Sequence, residues 1–174
     1  SRNVLAVSVL LLFVGILARL LVSASDGMSQ VLGYDCTAQA VWFAVPVAGG
    51  AVLVRLLTGP MWSIAFSLVG ALLCTLIMDV QALYFLYFTA TGLAGASAVH
   101  HTRERIAVLK AGLSIGAIGG ATALFVTLIS EFLVAGGAAQ GLNFGPAWAV
   151  VFGVTGGIVS SFFVLALMPV FENF

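Results

Sequence analysis

FAVPVAGGAVLVRLLTGPMWSIAFSLVGALLCTLIM, residues 43–78, is the stretch on which the fold turns. Two apolar runs flank Thr58-Gly59-Pro60, and Arg55 is the one charged residue in either. A bilayer core takes about 20 apolar residues to cross, which segments 38–57 and 61–78 supply. The Gly-Pro pair between them makes a tight turn, so they read as a hairpin of antiparallel helices. Working outward, 4–22, 82–100, 107–134 and 146–170 pass the same test. Hydrocarbon offers a backbone no hydrogen-bond partners, so spanning segments must be helices or closed barrels. The period-two alternation of barrel strands is missing. The predicted fold class is all-α: one polytopic transmembrane bundle over 1–174, with six spans.

Composition agrees. Hydrophobic residues make up 62% of the 174 and charged residues 7%, against about 25% charged in soluble domains, so the chain cannot clothe itself with a hydrated surface. The 20 glycines lie inside apolar runs, where they allow close helix packing. The net charge of zero says nothing about nucleic acid, but the chain has no basic tract that would bind it, and no nucleic-acid partner is expected. The first run has a signal-peptide look, with Arg2 before it and Ser23, Ala24 and Ser25 after it. At about 19 residues it exceeds the usual 7–15-residue apolar region of a signal peptide, and Arg19 lies within it, so it reads as a retained span. Cys36 and Cys74 are too few for a disulfide framework; a bond between them would require both near the outer face.

Charge then orients the bundle. Alternate loops place Arg2, Arg55, Arg103, Arg105 and Lys110 on one side, with Glu104 and Glu172. Arg19, Asp26, Asp35, Asp79 and Glu131 fall on the other. The positive-inside rule makes the basic side cytoplasmic, with both termini there, and the chain reads as a multi-pass membrane protein. Trp42, Trp62 and Trp148 near span starts, and Tyr34, Tyr84 and Phe144 near the outer boundary, fit an interfacial belt. Asp79-Val80-Gln81 forms a second tight hairpin, with Asp79 expected to cap the helix that follows.

Packing signals concentrate late in the chain. Gly112, Gly116 and Gly120 recur every four residues on the fifth span, and Gly153, Gly157 and Ser161 on the sixth. Such stripes let two backbones approach closely, within a bundle or across a dimer.

Chemistry is sparse. In HHTRER, residues 100–105, His100 and His101 point about 100° apart on a helix and have no third ligand at metal spacing. The stretch reads as a cytoplasmic helix end, with basic residues facing anionic headgroups. Arg19 and Arg55 are near enough to helix ends to snorkel. Ionisable groups inside a span are functional candidates by default, and Glu131, in VTLISEFLVAGG (126–137), is the candidate ligand-binding residue, facing either an outer cavity or headgroup water. Nucleophile elbows, zinc-protease helices, phosphate loops and working carboxylate pairs are all missing. No catalytic residue, metal or cofactor is expected. Pro46 and the Gly119–Gly120 pair are candidate helix breaks of the kind found in transporters.

FAVPVAGGAVLVRLL (43–57), WSIAFSLVGALLCTLIM (62–78), TRERIAVLKAGLSIG (102–116) and LMPVFENF (167–174), in this order, resemble the membrane region of bacterial seven-transmembrane receptors with an intracellular HD-type phosphohydrolase domain. The matching features are Pro46 followed by Ala48, Gly49 and Gly50; Arg103 and Arg105 leading to Ala111 and Gly112; and the closing Pro169, Val170, Phe171 and Glu172. The resemblance implies an N-terminal extracytoplasmic sensor region, seven spans and a cytoplasmic phosphodiesterase that degrades cyclic di-AMP. The chain departs from this pattern in having six spans; the first span of the family would precede Ser1. The His…His-Asp…Asp set of the HD domain is also missing, since Thr102 follows the two histidines. This stretch alone is therefore expected to have no phosphodiesterase activity. Two functions follow: a signalling module whose bundle passes an outer-face or membrane event to an output domain through a junction at Pro169 and Glu172, or a stand-alone membrane subunit, accessory or transporter-like. Its partners would be the lipid bilayer and other membrane subunits or a second copy of itself.

Overall fold

A computed structural model describes residues 2–32, 41–79, 82–98, 105–134 and 145–172. These form α1 (Arg2–Leu32), a 3₁₀ turn (Trp42–Ala44), α2 (Val47–Thr58), α3 (Pro60–Met78), α4 (Ala82–Ala98), α5 (Arg105–Val134) and α6 (Gly145–Glu172). Four of them contain segments long and apolar enough to cross a membrane: Val7–Ser25, Pro60–Met78, Val108–Ser130 and Pro146–Leu167. Trp42–Thr58 and Ala82–Ala98 are apolar but shorter. The chain is a membrane protein with an all-helical fold among its described residues.

Helix directions follow from pairwise contacts. Positions 63, 66 and 70 of α3 meet positions 51, 50 and 47 of α2, so these two helices are antiparallel, as the Gly59-Pro60 turn requires. Positions 84, 87 and 95 of α4 meet 43 and 48, so α4 runs parallel to α2. Positions 156 and 160 of α6 meet 44 and 49, which makes α6 parallel to α2 as well. In α1, Leu11 and Gly15 meet Gly70 and Ile77 of α3 in parallel. Along α5 and α6, the contacts 112 to 161 and 119 to 153 are antiparallel. Helices therefore alternate in direction along the chain.

At the centre is α2, whose residues Val47–Val54 are all buried. It packs on α1, α3, α4 and α6. Its short length is compatible with that position, because a helix enclosed by protein need not match the lipid thickness. By contrast α1 lies at the rim, with Leu5, Leu12, Ile16 and Leu20 exposed, as a lipid-facing helix should be.

Several boundaries differ from the sequence reading. The first helix does not stop at residue 22 but runs to Leu32, since Ser, Ala and Gln, unlike Pro, can extend a helix beyond the bilayer. The fifth helix passes through Gly119–Gly120 unbroken. Asp79 adopts a left-handed conformation (φ 49°, ψ 45°) and ends α3, its N–H donating to the Leu76 carbonyl; the expected capping of the next helix falls on residues outside the described part. Asp is among the few side chains that tolerate this conformation. Trp62 and Trp148 are exposed as expected of belt residues, whereas Trp42 is half-buried and Tyr84 buried.

The turn at Gly59 (φ 110°, ψ −179°) occupies a region that essentially only glycine visits, and a Cβ there would touch nothing within 4 Å. Gly59→Ala is accordingly expected to lower unfolding stability by about 1–3 kcal/mol through backbone strain alone. Asp79→Gly should be neutral or stabilising, by up to about 1 kcal/mol. Reversible unfolding in mixed micelles reads both; a Gly59→Ala variant as stable as the parent would refute the strained turn.

Candidate functional site

The helical backbone is interrupted where Pro46 lies in the second span. Pro has no N–H to continue a helix, so the chain passes from the 3₁₀ turn into α2 through an extended Val45 and then Pro46 at φ −82°, ψ 50°. This is an inverse γ-turn, closed by Val47 N–H donating to the Val45 carbonyl at 2.9 Å. The Trp42 carbonyl accepts from Val45 N–H at 3.3 Å, and the Pro46 carbonyl accepts from Gly49 N–H at 3.1 Å. The Phe43 carbonyl accepts from the hydroxyl of Tyr87, on α4, at 2.6 Å.

Tyr87 is held in place by rings. Phe43 stacks on Tyr84 with centroids 5.3 Å apart and meets Tyr87 edge-on at 4.7 Å. On the other side α6 comes within touching distance: a Cβ on Gly156 would lie 2.7 Å from the Phe43 carbonyl oxygen, and one on Gly49 would lie 3.0 Å from the Ser160 carbonyl oxygen. A Cβ on Gly95 of α4 would lie 2.6 Å from the Ala48 carbonyl oxygen. Lower on α2, Ser63 of α3 donates to the Ala51 carbonyl at 2.6 Å.

Behind this broken helix the glycine stripes of α5 and α6 face each other within one chain. A Cβ on Gly119 would stand 2.9 Å from the Gly153 carbonyl oxygen, and the reverse distance is 2.8 Å. Gly112 packs against Ser161, Gly116 against Gly157, and Gly120 against Val154. The five glycines singled out by spacing therefore all lie in this seam. Gly95 and Gly156, which join α2 to its neighbours, escaped the sequence reading, and Gly49 entered it only as part of the family resemblance. Gly153-x-x-Gly156 and Gly92-x-x-Gly95 were the available signals, at a spacing of three instead of four.

The polar candidates fare differently. Glu131 lies on α5 one turn before its end at Val134, with its side chain outside the described part. Pro169 and Glu172 lie within α6, whose helix continues through the proline; their side chains too are outside the described part. His100, His101, Glu104 and Cys36 fall outside the described residues, leaving the Cys36–Cys74 pairing unaddressed. Cys74 is buried as a free thiol. Among the described residues no group of three His, Cys, Asp or Glu could hold a metal ion.

What this arrangement offers is a set of helices in backbone contact around a break. A model of the family described as 7TM receptor with intracellular HD hydrolase matches residues 1–174. The chain belongs to this family. It corresponds to the membrane sensor region of these HD-domain receptors. It is also 28% identical over 140 residues to the cyclic-di-AMP phosphodiesterase PgpH of Bacillus subtilis (strain 168), an alignment covering 76% of this chain and 19% of that protein. The chain thus spans about a fifth of that relative's length. No solved structure matches.

Two substitutions probe the site. Tyr87→Phe leaves the buried Phe43 carbonyl without its donor and should cost about 1–3 kcal/mol. Gly119→Leu forces α5 and α6 apart and should cost about 1–3 kcal/mol or more, while Gly27→Ala, on an exposed turn of α1 where a Cβ meets nothing within 4 Å, should be neutral or stabilising by up to about 1 kcal/mol. Thermal unfolding in detergent orders the three; equal melting temperatures for Gly119→Leu and Gly27→Ala would contradict the seam.

Proposed function

We propose that this bundle is the signal-transducing part of a longer receptor, carrying an outer-face or membrane signal to a cytoplasmic HD-type output domain that follows Phe174. The observation that carries the reading is α6: it bears one half of the glycine seam, touches the break at Phe43 and Ala44, and continues as one helix to Glu172. A shift between α5 and α6 would move that whole helix, because backbone contacts without interlocking side chains let helices slide at low cost. Pro169 and Glu172 would form the junction to the output domain. Glu131, near the opposite end of the seam, is the candidate contact for an outer ligand. The output would be a cyclic dinucleotide phosphodiesterase by analogy with PgpH, and this stretch itself would be non-catalytic. The alternating directions of six apolar helices support six crossings of the bacterial inner membrane with both termini cytoplasmic.

Topology is tested with single cysteines in a Cys36→Ala, Cys74→Ala background. An impermeant maleimide should label Asp79→Cys, but neither Ser1→Cys nor Phe174→Cys, in intact spheroplasts; inverted vesicles should give the opposite pattern. Labelling of Phe174→Cys from outside would end the proposed arrangement.

Coupling is tested in the full-length receptor. Gly116→Leu should change cyclic di-AMP hydrolysis by about three-fold or more, the scale of coupling energies carried by packed elements, while expression and membrane insertion hold. Unchanged hydrolysis would remove the seam from the mechanism. Glu131→Gln should weaken the response to signal, and an undiminished response would exclude Glu131.

A further inference from the structure

Arg55 and Ser97 mark one end of a groove of about 430 Å³ on the side of the bundle. Its other lining residues include Ile64, Ala90, Leu93 and Ile118. The helix directions explain its shape. Arg55 is in the last turn of α2 and Ser97 in the last turn of α4, and these helices run parallel. Ile64 lies in the second turn of α3, which starts at that same end. Ala90 is about 10 Å deeper than Ser97 at 1.5 Å per residue, and Ile118 is about 20 Å along α5 from its start. The groove therefore has a cation and a hydroxyl at the bundle's end and an apolar wall running toward the middle.

The geometry points to an anionic phospholipid as the occupant, its phosphate on the Arg55 guanidinium and one acyl chain along Leu93 and Ile118. Three observations favour this ligand. Arg55 is partly buried, and a guanidinium presents a rigid fork of donors that matches phosphate. Asp79 sits at the far end of α3 from the groove. The volume is within the range of small-molecule sites, and basic pockets between spanning helices are a recurrent way of holding lipid headgroups. Snorkelling alone would explain the arginine but not the apolar trench leading away from it. The inference holds whichever way the termini face.

The test is native mass spectrometry of the full chain released from nanodiscs of equal phosphatidylglycerol and phosphatidylcholine. The parent should retain phosphatidylglycerol about ten-fold over phosphatidylcholine, whose phosphate is offset by its own quaternary ammonium; ten-fold is the scale of one charge-assisted hydrogen bond. Arg55→Gln should bring the ratio close to one, and so should Ala90→Phe, which fills the trench and leaves the charge. Lys110→Gln, at an exposed base, should keep the parental ratio. The proposal is overturned if the parent shows no preference, if either groove variant keeps the parental ratio, if Lys110→Gln abolishes it as fully as Arg55→Gln, or if the chain emerges as a lipid-free dimer. Should Arg55→Gln fail to fold, Ala90→Phe and Lys110→Gln decide.

Discussion

A peptide carbonyl stripped of its helical partner inside hydrocarbon costs several kcal/mol, since no water is there to replace it. Pro46 creates that situation in the second span, and much of the bundle is arranged around its consequences. The 3₁₀ turn and the inverse γ-turn absorb part of the loss locally. The Phe43 carbonyl cannot be satisfied locally and takes its hydrogen bond from Tyr87, forty-four residues away. That bond ties α4 to the break, and the rings of Tyr84 and Phe43 stack beside it. A break left facing lipid would be untenable, so α2 occupies the centre and its eight residues Val47–Val54 are all buried.

Enclosing a helix on all sides in a membrane requires a cohesive force other than hydrophobic transfer, because lipid tails are as apolar as leucine. Here that force is close van der Waals packing through small residues. Gly49, Gly95 and Gly156 bring three helices against α2, and the α5–α6 seam closes on itself from Gly112–Ser161 to Gly119–Gly153. The two devices meet at the Phe43 and Ala44 backbone, which Gly156 touches. A membrane region built this way has one long helix, α6, connecting the break, the seam and the chain's last described turn at Glu172. The family to which the chain belongs is described as 7TM receptors with an intracellular HD hydrolase.

Much of this was legible in the sequence. The helix positions, the Gly59-Pro60 hairpin, the break at Pro46 and the α5–α6 glycines could all be read from hydropathy, turn chemistry and spacing. The errors have a common physical origin. Gly119–Gly120 looked like a break because glycine weakens helices in water, but with no water to compete for the backbone hydrogen bonds the same pair serves as a contact surface within an intact helix. Trp42 and Tyr84 looked like belt residues and are drawn inward by the rings around Phe43.

The sequence by itself determined residence in the membrane, helical class and the segments that form helices. These depend on the transfer of each residue from water to hydrocarbon and on the need of every backbone group for a local partner, both of which are properties of short stretches. Only the tertiary structure decided that the shortest helix is central, that Tyr87 serves Phe43, and that a groove opens between Arg55 and Ile118. In a span that is apolar on every side, the pattern hardly distinguishes the face that meets lipid from the face that meets protein. That choice is made by the fit of small residues on different helices, which no single segment records.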